Sequence, residues 1–172
     1  MRFLTFAISI LMFISCTKNI SAIAHIKGVG SNQINGAATF IEENGFVKLM
    51  VELRGVDKEK IAIHIHELGD CESLDGSSAG GHWNPTQEQH GKWGELPFHS
   101  GDIGNIDANS SGFGKLTLKT NLWCLSCNDS LKNIVGKSII IHQGEDDFSS
   151  QPSGNAGPRI GCGVIRLIDS SN

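Results

Sequence analysis

The stretch that decides the fold is Ile61-Ala62-Ile63-His64-Ile65-His66. Isoleucine at every second position favours a β-strand, because β-branched side chains pack well against their neighbours on a pleated sheet. Successive side chains of a strand point to opposite faces, so His64 and His66 share one face. Two imidazoles side by side on a strand suit two ligands of one metal ion.

The sequence on either side of this stretch predicts more strands and no helix. Apolar alternation or short apolar bursts predict strands at 37–41, 46–53, 113–118, 134–142 and 163–168. Glu43-Asn44-Gly45 separates the first two and indicates a hairpin turn. With 21 glycines among 172 residues and only 19% charged residues, turns should outnumber solvent-facing helices. The chain length fits one all-β domain.

Two segments stand out as long, polar loops rich in Gly, Pro and Ser. They cover residues 67–105 and 143–159. Structureless loops above about 12 to 15 residues are uncommon in a compact domain unless they are functional. We therefore expect the chemistry of the protein in these two loops.

The first long loop contains a second group of metal-ligand side chains, His82, His90, His99 and Asp102. Three imidazoles and one carboxylate form a closed tetrahedral set of the kind that Zn²⁺ accepts. His142 ends a predicted strand immediately before the second loop. Because imidazole suits zinc and copper alike, the residue types alone indicate two transition-metal sites without fixing the two metals.

The charge pattern argues against a nucleic-acid partner. The formal net charge is −4, with 14 Lys and Arg against 18 Asp and Glu, and no run of basic residues. Contacts to phosphates need clustered cations, which this sequence lacks.

The amino terminus predicts export from the cytoplasm. Residues 1–24 combine a basic start at Arg2 with an apolar stretch over 3–14, as in a signal peptide. Ala22-Ile23-Ala24 has the small-x-small form of a cleavage site, which would leave residues 25–172 as the mature domain. Export places the cysteines in an oxidising environment, where paired thiols form disulfides.

A second processing site competes with the first. Cys16 directly follows the apolar stretch, as in bacterial lipoprotein signals, and its acylation would tether the protein to a membrane through a lipid. Both sites remain open on the sequence alone.

The motifs together resemble the copper/zinc superoxide dismutase family. The resemblance spans residues 37–168 and rests on His64-x-His66, Gly81-His82-Trp83-Asn84-Pro85, His90, His99-x-x-Asp102-x-Gly104-Asn105, His142 and Gly154-Asn155-Ala156-Gly157-Pro158-Arg159-x-x-Cys162. It implies an eight-stranded Greek-key β-barrel, an architecture that this family shares with immunoglobulin-like sandwiches. The polar loops and the export signal resemble the bacterial secreted branch, which implies a periplasmic location.

The resemblance also implies cofactors and a reaction. One copper and one zinc ion per subunit would convert superoxide to dioxygen and hydrogen peroxide. The implied copper ligands are His64, His66, His82 and His142, and the implied zinc ligands are His82, His90, His99 and Asp102. A single His82 ring between two cations would lose both of its ring protons.

Further roles follow from the same resemblance. Arg159 would guide the anionic substrate, since a guanidinium is permanently charged and can hold a small oxyanion. Asp146 would accept hydrogen bonds from one histidine of each site, His64 and His90, and so orient both rings. Cys71 and Cys162 would form the structural disulfide of the family.

Cys124 and Cys127 lie outside the family motif. A local disulfide that pins a loop is the favoured interpretation, because redox chemistry of a Cys-x-x-Cys pair needs the first thiol at a helix start. A copper-acceptor site and a subunit interface flanked by Leu122 and Trp123 are the alternatives.

Two other classes of function compete with the enzyme. One is a non-catalytic protein that binds or delivers metal, and the other is a thiol oxidoreductase built on Cys124 and Cys127. A superoxide-guiding Arg159 favours the enzyme, because a storage protein has no use for it. Superoxide is the expected small-molecule partner, and a second copy of the chain in a homodimer is a further candidate.

Overall fold

The structure, a computed structural model, describes residues 20–169. Arg2 and Cys16 lie outside the described residues. The described part contains nine strands: β1 (Ile20–Gly28), β2 (Asn35–Glu43), β3 (Phe46–Arg54), β4 (Lys60–His66), β5 (Asp102–Ala108), β6 (Gly114–Thr120), β7 (Ser138–His142), β8 (Arg159–Val164) and β9 (Arg166–Leu167). Its one helical element is a 3₁₀ turn over Ser77–Ala79.

The strands close into an antiparallel barrel. Their order is β2-β3-β6-β5-β4-β7-β8-β1, and β1 also pairs with β2, which joins the two ends. The two-residue β9 pairs with β1 at Ala22 and Ile23, beyond the stretch that pairs with β8. Because β3 lies beside β6 and β4 beside β7, connections cross the barrel in the Greek-key manner. The predicted all-β, eight-stranded Greek-key barrel is confirmed.

The hydrophobic core fills the inside of this barrel. On β3, Val47, Leu49, Val51 and Leu53 are buried and alternate with more exposed residues. This alternation is the period of two that a strand imposes on a sheet with one solvated face.

Strand β4 differs from β3 because both of its faces are buried. Its three isoleucines join the core, and its two histidines lie on the outer face. Residues 67–101 and 143–158 fold over that face, where the Ala62 N–H donates to the carbonyl of Gly144 at 2.8 Å. The two long loops therefore bury the histidine face of β4.

Besides β1, three strands differ from the sequence prediction. Strand β5 begins inside the predicted loop 67–105 and was not predicted, because Gly104, Asn105 and Asp107 lack the usual strand pattern. Strand β7 begins four residues later than predicted, since the apolar Ile134 enters the core from the preceding loop. Strand β8 begins at Arg159 rather than at residue 163, and its glycines hide the alternation of Ile160 and Cys162.

Strand β1 overlaps the predicted export signal. It begins at Ile20, and Ala22 and Ala24 are both completely buried. Residues 20–24 pair with residues 38–42 of β2. Five residues of the predicted signal therefore form part of the barrel. Within residues 20–169, no helix is long and apolar enough to cross a membrane.

Candidate metal centre

Irregularities in two strand ladders direct histidines toward the loops. The β4–β5 register shifts between Ile63 and His64, and the β7–β8 register shifts between Ile141 and His142. Such irregularities redirect a side chain locally and are common beside functional sites. Both histidines follow an isoleucine of the core, so rigid strands fix their positions.

Four imidazoles meet on the outer face of β4 and form the first cluster: His64, His66, His82 and His142. One ring nitrogen from each lies within 4.8 Å of the others. These nitrogens, Nδ1 of His64 and Nε2 of the other three, are buried without a hydrogen-bond partner. An unpartnered buried polar group costs about 1–3 kcal/mol. A metal ion that accepts one lone pair from each ring would satisfy all four atoms, so the residues fit the copper that the family implies.

The second cluster consists of His82, His90, His99 and Asp102. From the Asp102 carboxylate, the Nδ1 atoms lie at 2.8 Å for His82, 3.0 Å for His90 and 3.1 Å for His99. Three nitrogens and one oxygen in this arrangement fit a tetrahedral Zn²⁺ ion. The carboxylate also accepts backbone N–H groups of His99 and Gly91, at 2.8 and 3.1 Å, which fixes its orientation.

His82 belongs to both clusters. Its Nδ1 faces Asp102 in the second cluster, and its Nε2 is the unpartnered atom in the first. Its ring centroid lies 4.0 Å from that of His64 and 5.5 Å from that of His99. One imidazole therefore joins the two groups of ligands through its two nitrogens.

The Asp146 carboxylate links the clusters a second time. One oxygen lies 2.8 Å from His64 Nε2, and the other lies 2.9 Å from His90 Nε2. Asn105 holds the Asp146 backbone from both sides, accepting its N–H at 2.8 Å and donating to its carbonyl at 2.9 Å. Gly154 has a φ of +63°, and a Cβ there would lie only 1.8 Å from Asp146 Oδ1. A glycine is required beside this carboxylate.

Backbone carbonyls set the tautomers of two histidines in the first cluster. Nδ1 of His66 donates to Gly80 at 2.9 Å, and Nδ1 of His142 donates to Gly157 at 3.0 Å. Each ring then carries its proton on Nδ1 and leaves Nε2 free as a ligand.

Burial keeps three rings of the first cluster uncharged. Desolvation lowers the pKa of His66 from 6.5 to about 2 and that of His142 to about 3. Desolvation is also the largest influence on His82, whose pKa falls to about 4 although Asp102 opposes the change. Neutral rings at pH 7 keep their lone pairs available for a metal.

The second cluster, in contrast to the first, contains charged groups. Burial acts to lower the pKa of His90, but Asp102 and Asp146 outweigh it and raise this pKa to about 9. Burial also opposes ionisation of the two carboxyls, yet hydrogen bonds from the histidines bring both pKa values far below the usual range. The two carboxylates thus place negative charge beside the three loop imidazoles.

An open cavity of about 560 Å³ borders His66, His82 and His142 of the first cluster and His99 of the second. Arg159 lines it and is the only Lys or Arg among the described residues that do so. One guanidinium nitrogen donates to Gly80 at 2.7 Å, and the other donates to Gly76. The carbonyl of Gly80 also accepts a hydrogen bond from Nδ1 of His66. One peptide group therefore fixes both the guanidinium of Arg159 and a ring of the first cluster.

Two disulfides are present in the described chain. Cys71–Cys162 ties the first long loop to β8, with a sequence separation of 91 residues. In the chain-entropy model, a loop of 91 residues corresponds to about 4.6 kcal/mol of stabilisation. Cys124–Cys127 closes a tight local loop between β6 and β7, as the sequence favours. Trp123 is only 1% exposed, whereas Leu122, the other residue named for an interface, is 41% exposed.

All of the side chains proposed from the sequence for the two metal sites lie in these two clusters or in contact with them. Sequence reasoning missed the carbonyls of Gly80 and Gly157, because every residue carries such a group. It also missed the hold of Asn105 on Asp146. The place of Asn105 in the family motif was the one sequence signal that could have indicated this contact.

Comparisons with known proteins agree with this geometry. Residues 34–165 match the model of the family described as copper/zinc superoxide dismutase. Superoxide dismutase [Cu-Zn] of Yarrowia lipolytica is 37% identical over 158 residues, which cover 86% of this chain and 98% of the relative. Superoxide dismutase [Cu-Zn] 2 of Aquifex aeolicus is 34% identical over 160 residues, covering 91% of this chain and 94% of the relative.

An extracellular relative and a solved structure are also similar. Extracellular superoxide dismutase [Cu-Zn] of Caenorhabditis elegans is 35% identical over 143 residues, or 80% of this chain and 63% of the relative. The crystal structure of the clock protein EA4 superposes with a TM-score of 0.76 at 29% identity, covering 91% of this chain and all of that one. With the family match, the barrel and the two fitting clusters, the chain belongs to the copper/zinc superoxide dismutase family.

Proposed function

We propose that this chain disproportionates superoxide with copper held by the first cluster and zinc held by the second. The observation that carries this assignment is the convergence of unpartnered buried nitrogens, four of them in the first cluster. The open cavity borders three of the four histidines of the first cluster but only His99 and the shared His82 of the second, so the first cluster suits the ion that must meet substrate. The second cluster is closed by Asp102 and suits a structural ion.

Copper, when bound, supplies the one-electron couple that oxidises one superoxide to dioxygen and reduces the next to hydrogen peroxide. The chain must then provide protons and deliver an anion. Nε2 of His82 faces the first cluster while its Nδ1 remains directed at Asp102. His82 can therefore hold one proton at Nε2 and give it to the departing peroxide without losing its orientation, while solvent in the open cavity supplies the second proton.

Arg159 guides superoxide to the cavity. Its guanidinium lies among the residues that line the open side of the first cluster, where Glu88 contributes an opposing charge. A cation held by two carbonyls is fixed in place and costs little reorganisation when an anion arrives. Local positive potential can attract an anion although the whole chain carries a net charge of −4.

The test is metal analysis of the purified protein together with an assay of superoxide disappearance. We expect one copper and one zinc per chain and rapid superoxide loss that disappears when copper is removed. Fully metal-loaded protein that leaves the rate of superoxide loss unchanged would overturn the enzymatic role and favour metal storage or delivery.

For localisation, we propose export to the bacterial periplasm with a lipid tether at Cys16. Cleavage after Ala24 would remove the first five residues of β1, including the buried Ala22 and Ala24. Processing at Cys16 would leave β1 intact. Mass spectrometry of the mature amino terminus should therefore find a lipid-modified Cys16, and an unmodified His25 terminus would refute this proposal.

A further inference from the structure

A tryptophan outside both clusters is buried against the back of the zinc loop. Trp123 lies in the connection between β6 and β7 and is 1% exposed. Its ring centroid lies 5.0 Å from that of Trp93 and 6.4 Å from that of Phe40. The indole therefore has fixed packing on two sides.

The indole N–H reaches the turn that carries two ligands of the second cluster. Nε1 of Trp123 donates to the carbonyl of Ser100 at 2.8 Å. Ser100 stands between His99 and Asp102, in a turn closed by the Asp102 N–H donating to the His99 carbonyl at 3.0 Å. Trp123 thus holds the middle of this ligand turn from outside.

The next residue of the chain belongs to the Cys124–Cys127 disulfide. The backbone of Cys124 donates to Lys132 at 2.9 Å and accepts from Ile134 at 3.2 Å. The Asn133 side chain donates to the carbonyl of Cys127 at 3.0 Å. The disulfide and these bonds make the segment after Trp123 a compact, tied loop.

We propose that Trp123, held by the Cys124–Cys127 disulfide, is a positioning residue for zinc. It belongs to neither ligand cluster and acts through Ser100 on His99 and Asp102. This gives the second disulfide, which lies outside the family motif, a role in zinc retention. The inference rests on the proposed zinc site.

The size of the effect follows from one hydrogen bond. Without the indole N–H, the Ser100 carbonyl loses its donor and the turn gains freedom that zinc must remove on binding. Loss of a bond of this kind lowers affinity by roughly twofold to tenfold. We expect zinc affinity to fall about fivefold in Trp123→Phe. Copper retention should be unchanged, because His64, His66 and His142 lie on strands.

The experiment titrates the metal-loaded protein with a zinc chelator and measures the release of zinc and copper separately. It compares wild type, Trp123→Phe, a Cys124→Ser/Cys127→Ser double variant and Trp93→Phe. The last is the matched control, since it makes the same exchange in the same aromatic cluster but removes no hydrogen bond recorded among the described residues. Thermal unfolding of each variant identifies any loss of zinc that merely follows loss of the fold.

We expect Trp123→Phe and the double variant to release zinc about fivefold more readily than wild type, with Trp93→Phe close to wild type. Wild-type zinc retention in Trp123→Phe, or equal loss in Trp93→Phe, would overturn the positioning role. Wild-type retention in the double variant would overturn the role of the disulfide. A wild-type protein that holds no zinc would instead refute the proposed zinc site itself.

Discussion

The two ligand clusters share one imidazole but are built in different ways. Three histidines of the first cluster stand on β4 and β7, whose opposite faces pack in the core. In the second cluster, three histidines come from the long loop, and only Asp102 belongs to a strand. Three histidines of the first cluster border an open cavity and are neutral, whereas carboxylates surround the second cluster, of which only His99 and the shared His82 reach that cavity.

This contrast suggests how rigidity is obtained in each place. The barrel already fixes the strand-borne ligands, so the first cluster can stay open to substrate. The loop-borne ligands depend on polar contacts with Asp102, Asp146 and the surrounding backbone. Loss of one such contact should therefore affect the second cluster more than the first.

The largest effect should come from removing a ligand that belongs to only one cluster. His66→Ala should lower copper affinity more than about 100-fold and abolish activity, while zinc is retained. His99→Ala should release zinc and leave copper bound. His25→Ala is the control, because His25 is exposed and belongs to neither cluster. Metal content after dialysis measures both effects. Selective loss of zinc from His66→Ala, or of copper from His99→Ala, would contradict the proposed assignment.

Asp146→Asn should have the next largest effect, because one carboxylate orients a ring in each cluster. Loss of such a partner typically costs about 10- to 100-fold in metal affinity. We expect zinc affinity to fall more than copper affinity, because His90 lies in a loop and not on a strand. Chelator competition measures both affinities, with Asp147→Asn as the exposed neighbouring control. A greater loss of copper would refute the proposed difference in rigidity.

Arg159→Ala should separate catalysis from metal binding at the open side. We expect both metals to stay bound and the rate of superoxide loss to fall about tenfold, because the cation that attracts the anion is gone. The rate should also depend less on ionic strength than in wild type. Full activity at low salt would reject the guiding role.

The pH dependence of metal affinity should also differ between the two clusters, although the effect is smaller. The metal-free protein binds a proton at His90 below about pH 9, whereas His66 and His142 stay neutral above about pH 3. Zinc must displace that proton, so its affinity should rise about tenfold per pH unit between pH 6 and 8. Copper affinity should change little over this range. Chelator titrations that gave the steep slope for copper would contradict these charge states.

The same pKa shifts predict the stability of the metal-free protein. The raised pKa of His90 contributes stability that is complete below pH 6.5 and is lost as pH rises through about 9. The lowered pKa of His66 acts in reverse, so stability falls as pH drops below 6.5 toward about 2. Denaturant unfolding of the metal-free protein should therefore show the greatest stability near pH 6.5.

Much of the fold and site could be predicted because the chemistry restricts the residue types. Isoleucine alternation identified β4, and few side chains other than histidine can supply clustered neutral nitrogen ligands. Strand β5 escaped prediction because its residues resemble a polar loop, and its pairing with β4 supplies what its composition does not. The hydrogen bond from Trp123 to Ser100 joins residues 23 positions apart, and no local sequence pattern indicates it.

The most direct test is anomalous X-ray scattering, at the copper and zinc absorption edges, from crystals of the metal-loaded protein. The account predicts a copper peak enclosed by His64, His66, His82 and His142, and a zinc peak enclosed by His82, His90, His99 and Asp102. The ring of His82 should lie between the two peaks. A map with both metals in one cluster, or with His82 bound to neither ion, would contradict the account.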